Sequence, residues 1–341
     1  MFFSQRIANL QNTIMKLSIV ILNWNGKLLL KKFLPNIILY TPDTPIYVVD
    51  NASQDDSIEF LEKEYKNVEV IKLSVNTGYA KAYNLALKMI DSDVYCLINN
   101  DVMVTKNWTL PIMSFFKKKI VDIAQPLVLD FYDKNKFEYA GAAGGYIDKF
   151  GYPFCRGRIF NNIENNVGQY DSSINIGWAS GACMFVNKKC WKSLEGFDED
   201  FFMHQEEIDF CWRAKNLNKT IMCISKSKVY HIGSGSKLSS DDKIYLNHRN
   251  SLLTLIKNVD KNKLPIVLLV RSFFEFTTFF FYLFKGKLSK SLMIIKAFFM
   301  FILMFSKFYS KRKRNFTIKY YRRVSIIIDS YIFGKNKFSD F

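Results

Sequence analysis

The stretch Val94-Tyr95-Cys96-Leu97-Ile98-Asn99-Asn100-Asp101 constrains the chain most, because an unbroken apolar run stops abruptly on two amides and a carboxylate. Such a run suits a strand covered on both faces, the environment of a parallel sheet. A carboxylate at its carboxyl end stands where open α/β sheets bind ligands, whereas a polar turn is the plainer reading of the same tripeptide.

Earlier apolar runs fall into the same pattern. Residues 17–22 lead to Asn23-Trp24-Asn25-Gly26, residues 46–49 to Asp50-Asn51, and residues 68–73 to Asn76-Thr77-Gly78-Tyr79. Helical stretches are predicted between them: about 27–40, a second after a cap at Ser53 or Asp55, and a third through Asn84. This alternation implies βαβ units and a mostly parallel sheet, so Asn23, Asn25, Asp50, Asn76, Asn99 and Asp101 share one sheet edge. Convergent polar groups at that edge are what a nucleotide site requires. No G-x-G-x-x-G follows the first strand and there is no P-loop, which excludes a dinucleotide-binding dehydrogenase and a P-loop enzyme. The run Gly141-Ala142-Ala143-Gly144-Gly145 has no strand before it and is predicted to be a flexible loop.

A helix over 108–119 and a strand over 123–129 are predicted next. Residues 131–173, rich in Asn, Gly, Asp and Tyr, suit loops that shape a pocket for a polar substrate, or an ordinary irregular insert. A small-residue turn around Trp178-Ala179-Ser180-Gly181 then enters another strand. Glu206, Glu207 and Asp209 fall among aromatics, a costly place for charge without a partner or a task. On a helix beginning near Gln205, Glu206 and Asp209 share a face and Glu207 points elsewhere; an acid-rich helix start is the alternative. Residues 226–231 form a short strand ending on His231, one of three histidines, before Gly233-Ser234-Gly235-Ser236. His231 is either a ligand or a structural histidine.

A chain of 341 residues with a formal charge of +17 has room for one catalytic domain plus an appendage, and its surface attracts anions. The six cysteines are scattered without a C-x-x-C pair, as expected of reduced core thiols rather than a zinc site or disulfide framework. The first residues do not form a secretory signal. Residues 264–284 and 292–308 are nearly all apolar, but Arg271, Glu275, Lys296 and Lys307 interrupt them, which favours interfacial helices over a spanning hairpin. Lys285, Lys287, Lys290, Lys311-Arg312-Lys313-Arg314 and Arg322-Arg323 beside them suit an anionic membrane leaflet.

Together, residues 17–25, Val48-Val49-Asp50-Asn51-Ala52-Ser53, Asn76-Thr77-Gly78-Tyr79-Ala80 with Asn84, Asn99-Asn100-Asp101, Ser180-Gly181-Ala182, Gly196-Phe197-Asp198 and Glu206-Glu207-Ile208-Asp209-Phe210-Cys211-Trp212-Arg213 resemble family 2 glycosyltransferases, closest to their rhamnosyltransferase-like branch. The resemblance covers about residues 16–255. It implies the GT-A fold, a Rossmann-like mixed α/β sheet, mostly parallel and flanked by helices; residues 256–341 are read as a helical, membrane-associating tail.

The same resemblance implies that Asn23, Asn25, Asp50, Asn76, Asn84 and Asn99 serve the nucleotide, with Asp50 on its base. It places Asp101 at the end of a variant DxD motif and His231 beside it as a second ligand to Mn²⁺ or Mg²⁺. It implies Glu207 as the base, with Glu206 or Asp209 as substitutes, and Ser180 and Gly181 on the acceptor side. Trp178 and Trp212 are candidate stacking surfaces for a sugar. The implied partners are a dTDP-, UDP- or GDP-linked sugar, a glycan or polyprenyl-diphosphate-linked acceptor and an anionic membrane surface. The implied place is the cytoplasmic face of the inner membrane, in assembly of a surface polysaccharide.

Three rivals are weaker. A processive synthase lacks its Q-x-x-R-W. A nucleic-acid-binding protein would not place acids at its site, so no nucleic acid is expected. A non-catalytic homologue that only binds sugar nucleotide is motivated by Glu207 standing where the family usually has Asp.

Overall fold

The computed structural model describes residues 15–233, 238–313 and 319–341. The lead-in 1–14, Ser234, Gly235 and Ser236 after His231, and Arg314 of the basic cluster lie outside the described residues.

The first half alternates as predicted: β1 (Leu17–Asn23), α1 (Lys27–Tyr40), β2 (Ile46–Asp50), α2 (Ser57–Glu64), β3 (Glu69–Lys72), α3 (Gly78–Met89) and β4 (Val94–Asn99). Successive side chains of these strands feed opposite faces, as the two-residue period of a strand demands. Ile19, Ile21, Cys96 and Ile98 join Leu30 and Leu34 of α1 in one core, while Val20 and Leu97 join Tyr83 and Ala86 of α3 in the other. With both faces covered, β4 is buried throughout Val94–Ile98.

Next come β5 (Val102–Val104), α4 (Thr109–Lys117) and β6 (Ile123–Asp130), then β7 (Gly145–Ile147), β8 (Pro153–Cys155), β9 (Arg158–Ile159) and β10 (Asn162–Ile163). They are followed by β11 (Ile174–Asn175), β12 (Cys183–Asn187), α5 (Lys188–Ser193), α6 (Glu206–Asn216) and β13 (Ile221–His231). The main sheet runs β11-β13-β6-β12-β4-β1-β2-β3, with β5 beside β13. β1 lies parallel between β2 and β4, and β6 lies parallel to β13. β12 is inserted antiparallel between β4 and β6, which makes the sheet mixed.

Three expectations need correction. The stretch 131–173 is not loops alone, since β7–β10 form a four-stranded antiparallel sheet of their own. The glycine-rich run is not flexible: Ala142 and Ala143 are buried, and a Cβ on Gly145 would fall 2.0 Å from the Trp178 ring. The strand predicted at 226–231 is the end of an eleven-residue β13, whose irregularity between Ile224 and Lys228 hid its first half from the sequence pattern. All six cysteines are buried and free, as expected.

The remaining chain forms α7 (Ser240–Asn258), α8 (Leu264–Phe284), α9 (Leu288–Ser310) and α10 (Ile326–Tyr331). By length and composition α8 and α9 could each cross a membrane. Each instead buries only one stripe, Leu264, Val267, Arg271 and Glu275 on α8 and Ser291, Ile294, Ala297, Phe301 and Phe308 on α9. The two charges that interrupt α8 therefore face inward. Arg271 donates to Glu275 (2.8 Å), the Phe150 carbonyl (3.1 Å) and Ser251 (2.8 Å), and His248 of α7 pairs with Glu275. The outward side shows Leu269, Phe273, Phe280, Phe299 and Ile302. Beyond α9 the chain returns over the β7–β10 sheet: Asp148 accepts the Ile326 N–H (3.0 Å), and Glu164 accepts that of Phe338 (2.9 Å).

Candidate functional site

Parallel pairing sets Asn23 beside Asp50 and Leu22 beside Asn99, so the polar strand ends do meet at one edge. The Asn23 amide donates to Asp50 (3.1 Å) and accepts from Asn100 (2.8 Å), and Asp50 accepts the Ser53 N–H (2.9 Å). Asn25 accepts the Gln54 N–H (2.6 Å), and Asn51 bridges to Asn76 (2.9 Å). This lattice leaves no room for a side chain at 26: a Cβ on Gly26 would sit 2.2 Å from Asn100 and 2.4 Å from Asn23. Asp50 is fully buried in the lattice, so it pins the turn rather than offering an open carboxylate to a base. Asn25, Asn76 and Asn99 keep exposed surface at the rim.

β4 ends one residue before Asn100-Asp101, and antiparallel pairing of β5 with β13 brings His231 opposite Val102. His231 Nε2 lies 3.0 Å from Asp101 Oδ1, and its Nδ1 lies 3.3 Å from Glu138 Oε1. Burial works against the imidazolium, yet the hydrogen bonds and charges of Asp101 and Glu138 outweigh it and raise His231 to about 10. Among the described residues no three His, Cys, Asp or Glu side chains form a ready metal cage. The Asp101–His231 pair nevertheless fits a divalent cation as two of its donors: adjacent ligands of an octahedral ion at about 2.1 Å are about 3.0 Å apart, and such ions commonly take their other oxygens from substrate phosphates and water.

The second centre is the start of α6. Phe202, His204 and Gln205 have φ of 65, 67 and 72°, a strained approach for side chains other than glycine. The approach is held from α7, where the Asn250 amide donates to the carbonyls of Phe201, Met203 and His204 (2.8–3.0 Å). It delivers Glu206, buried, and Glu207, half-buried. Burial pushes Glu207 up to about 7, and burial together with the charge of Glu207 raises Glu206 well above the carboxylate range. Among the described residues, one Oε of each carboxyl has no hydrogen-bond partner. Tyr79 links the two centres: both glutamates lie within its electrostatic reach, its hydroxyl donates to the Gly181 carbonyl (2.8 Å), and the next carbonyl, of Ala182, accepts the Asn99 N–H (3.0 Å). The Gly181-Ala182 turn thus joins Tyr79, near the acid pair, to the end of β4, which leads to Asp101.

Other predicted residues lie elsewhere. Asp209 cannot serve as a base, because Arg213 (2.8 Å) and Lys257 (2.9 Å) bind one oxygen and Asn258 (2.8 Å) the other. Trp178 is no sugar platform, since its ring is buried against Gly145 and its N–H donates to the Tyr146 carbonyl (2.9 Å). Trp212 is also buried, with Tyr320 of the tail on it at 4.4 Å between ring centres. Ser180 is buried and its hydroxyl donates to the Ala140 carbonyl, so only Gly181 keeps surface on that turn. Asn84 clamps the loop before α6, bonding both the N–H and the carbonyl of Phe197 (3.0 and 2.8 Å), and is not at the strand edge. Sequence reasoning missed Tyr79, Asn250 and Glu138. Of these, Tyr79 alone carried a signal, its place at a predicted strand-to-helix turn.

Comparisons with known proteins agree with this fold. Residues 18–191 match the model of the family described as Glycosyl transferase family 2. The low-salt glycan biosynthesis hexosyltransferase Agl10 of Haloferax volcanii is 22% identical over 244 residues, 70% of this chain and 74% of that one. The N-acetylglucosaminyl-diphospho-decaprenol L-rhamnosyltransferase of Mycobacterium tuberculosis is 23% identical over 220 residues, 59% and 71% of the two chains. Among solved structures, S. aureus TarS 1-349 in complex with UDP-GlcNAc superposes with a TM-score of 0.57 at 18% identity, covering 87% of this chain and 84% of that one. The mannosyltransferase PcManGT of Pyrobaculum calidifontis, in complex with GDP-Man and Mn²⁺, gives 0.51 at 12% identity, covering 88% and 94%. With the matched segment spanning half of the chain and the sheet edge built as described, the protein belongs to glycosyltransferase family 2.

Proposed function

We propose that the chain is an inverting, metal-dependent glycosyltransferase that moves a hexose, with rhamnose the leading case, from a nucleotide-diphospho-sugar to a glycan or polyprenyl-diphosphate-linked acceptor in surface-polysaccharide assembly. The observation that carries this reading is the acid pair Glu206-Glu207, raised by burial, connected through Tyr79 and the Gly181-Ala182 turn to the strand end that leads to Asp101 and His231. Rhamnose and the lipid-linked acceptor rest on the activity named for the mycobacterial relative.

The sheet-edge asparagines would hold the nucleotide. Asp101 and His231 would hold a divalent cation, Mn²⁺ or Mg²⁺, whose chemistry when bound is to offset the charge that grows on the leaving diphosphate. The stronger upward push falls on Glu206, so Glu207 is the member of the pair that ionises first. Glu207 takes the proton of the acceptor hydroxyl as that oxygen attacks the anomeric carbon. The bond to the diphosphate breaks on the opposite face with its electrons leaving on the diphosphate oxygen, which inverts the anomeric centre. A base near 7 suits this step, being about half ionised at neutral pH yet still basic. The test is nucleotide release from a panel of dTDP-, UDP- and GDP-sugars with membrane lipid extract as acceptor, with and without Mn²⁺. Metal-dependent turnover of one donor is expected, and failure of the protein to bind any of the nucleotides would remove the reading.

Residues 16–255 would form the catalytic domain and 256–341 the membrane-associating tail, docked at the cytoplasmic face of the inner membrane. The inward turn of Arg271 and Glu275, with an apolar outward side on α8 and α9, supports a hairpin lying in the interface rather than spanning it. The full chain is expected to co-sediment with phosphatidylglycerol-containing vesicles and less with purely zwitterionic ones. Recovery in the supernatant with both would refute the membrane assignment.

A further inference from the structure

Glu138 is a buried carboxylate that the chemistry above does not use. It is 3% exposed and lies in the stretch where the sequence shows no regular pattern. Three contacts fix it in place. Its N–H donates to the Val128 carbonyl on β6 (3.1 Å), and its Oε2 accepts the Ala140 N–H. Its remaining oxygen, Oε1, then faces Nδ1 of His231, whose register partner across the parallel β6–β13 pair is Asp130.

An imidazole held this way has its two nitrogens assigned. Nδ1 carries a proton toward Glu138, and Nε2 is turned to Asp101 Oδ1, with the Asn99 amide 3.4 Å away. Nε2 and Asp101 Oδ1, 3.0 Å apart, repel each other unless positive charge lies between them; in the imidazolium that charge is the Nε2 proton, whose place a bound cation would take. A carboxylate behind a histidine is the arrangement that fixes the ring and makes the far nitrogen a stronger donor to a cation.

We propose that Glu138 is the positioning residue of the cation site, acting through His231 to hold Nε2 as a metal donor beside Asp101. The proposal rests on the metal-dependent reading of the site. It assigns the irregular insert a task in the chemistry: the insert completes the cation site from behind.

The test is equilibrium dialysis of Mn²⁺ against the full-length protein in an equimolar mixture of UDP, GDP and dTDP. Wild type, Glu138→Ala, Glu138→Gln and His231→Ala are compared, with thermal melting as the check on folding. Glu138→Ala is expected to weaken Mn²⁺ retention by about 10–100-fold. Glu138→Gln, which keeps an acceptor oxygen for Nδ1–H but not the charge, should fall between it and wild type. It also carries the test if the alanine variant does not fold. Retention by wild type with both Glu138 variants within twofold of it would overturn the role of Glu138 while leaving the metal reading intact. No retention by wild type would overturn both.

Discussion

Glu207→Gln is expected to lower the turnover number by about 10²–10⁴-fold, the usual contribution of a general base, with little change in donor KM. The substitution keeps size and hydrogen bonding and removes only the capacity to take a proton. Burial places the Glu207 carboxyl at about 7. A base works ionised, so the wild-type rate should rise with pH through about 7 and level off above it, and the residual rate of the variant should not show that step. The stability sign runs the other way. A carboxyl whose folded pKa is raised costs the folded state stability as pH rises from its unfolded value through the folded one. The variant should therefore melt no lower than wild type at pH above about 7, which separates lost chemistry from a damaged fold. Full transfer by Glu207→Gln would remove Glu207 as the base.

Asp101→Asn should have a comparable effect by a different route. Asparagine fills the same space but brings no negative charge to the site beside His231, and Lewis-acid stabilisation of a leaving phosphoryl oxygen amounts to several kcal/mol. A loss of about 10²-fold or more in kcat/KM is expected, together with loss of any stimulation by Mn²⁺. If Asp101→Asn kept both, the Asp101–His231 contact would be an ordinary buried ion pair and the cation would have to be held elsewhere.

Much of the site was legible because it lies where local pattern is strong. The runs before Asn23, Asp50 and Asn99 are strands covered on both faces, so their apolar residues are continuous and their ends abrupt. Position alone did not reveal what each polar group is bonded to. Asp50 and Ser180 sit at the expected places but are consumed by neighbouring groups, and Asp209 is neutralised by Lys257 and hydrogen-bonded by Asn258 from a helix almost 50 residues later. Trp178 and Trp212 fail as sugar platforms for a similar reason, since a ring that could stack on a sugar stacks equally well on Gly145 or Tyr320. Glu138 was invisible because its neighbours in sequence form a small sheet of two- and three-residue strands, too short to show a period.

The return of the chain over the β7–β10 sheet has a consequence for biogenesis. Asp148 waits for the backbone of Ile326, a partner 178 residues further on, and Glu164 waits for Phe338. Contacts of such separation close late, after the loop entropy between them has been lost. Both apolar helices leave the ribosome before either partner does. The insert is therefore latched only after both α8 and α9 have been made.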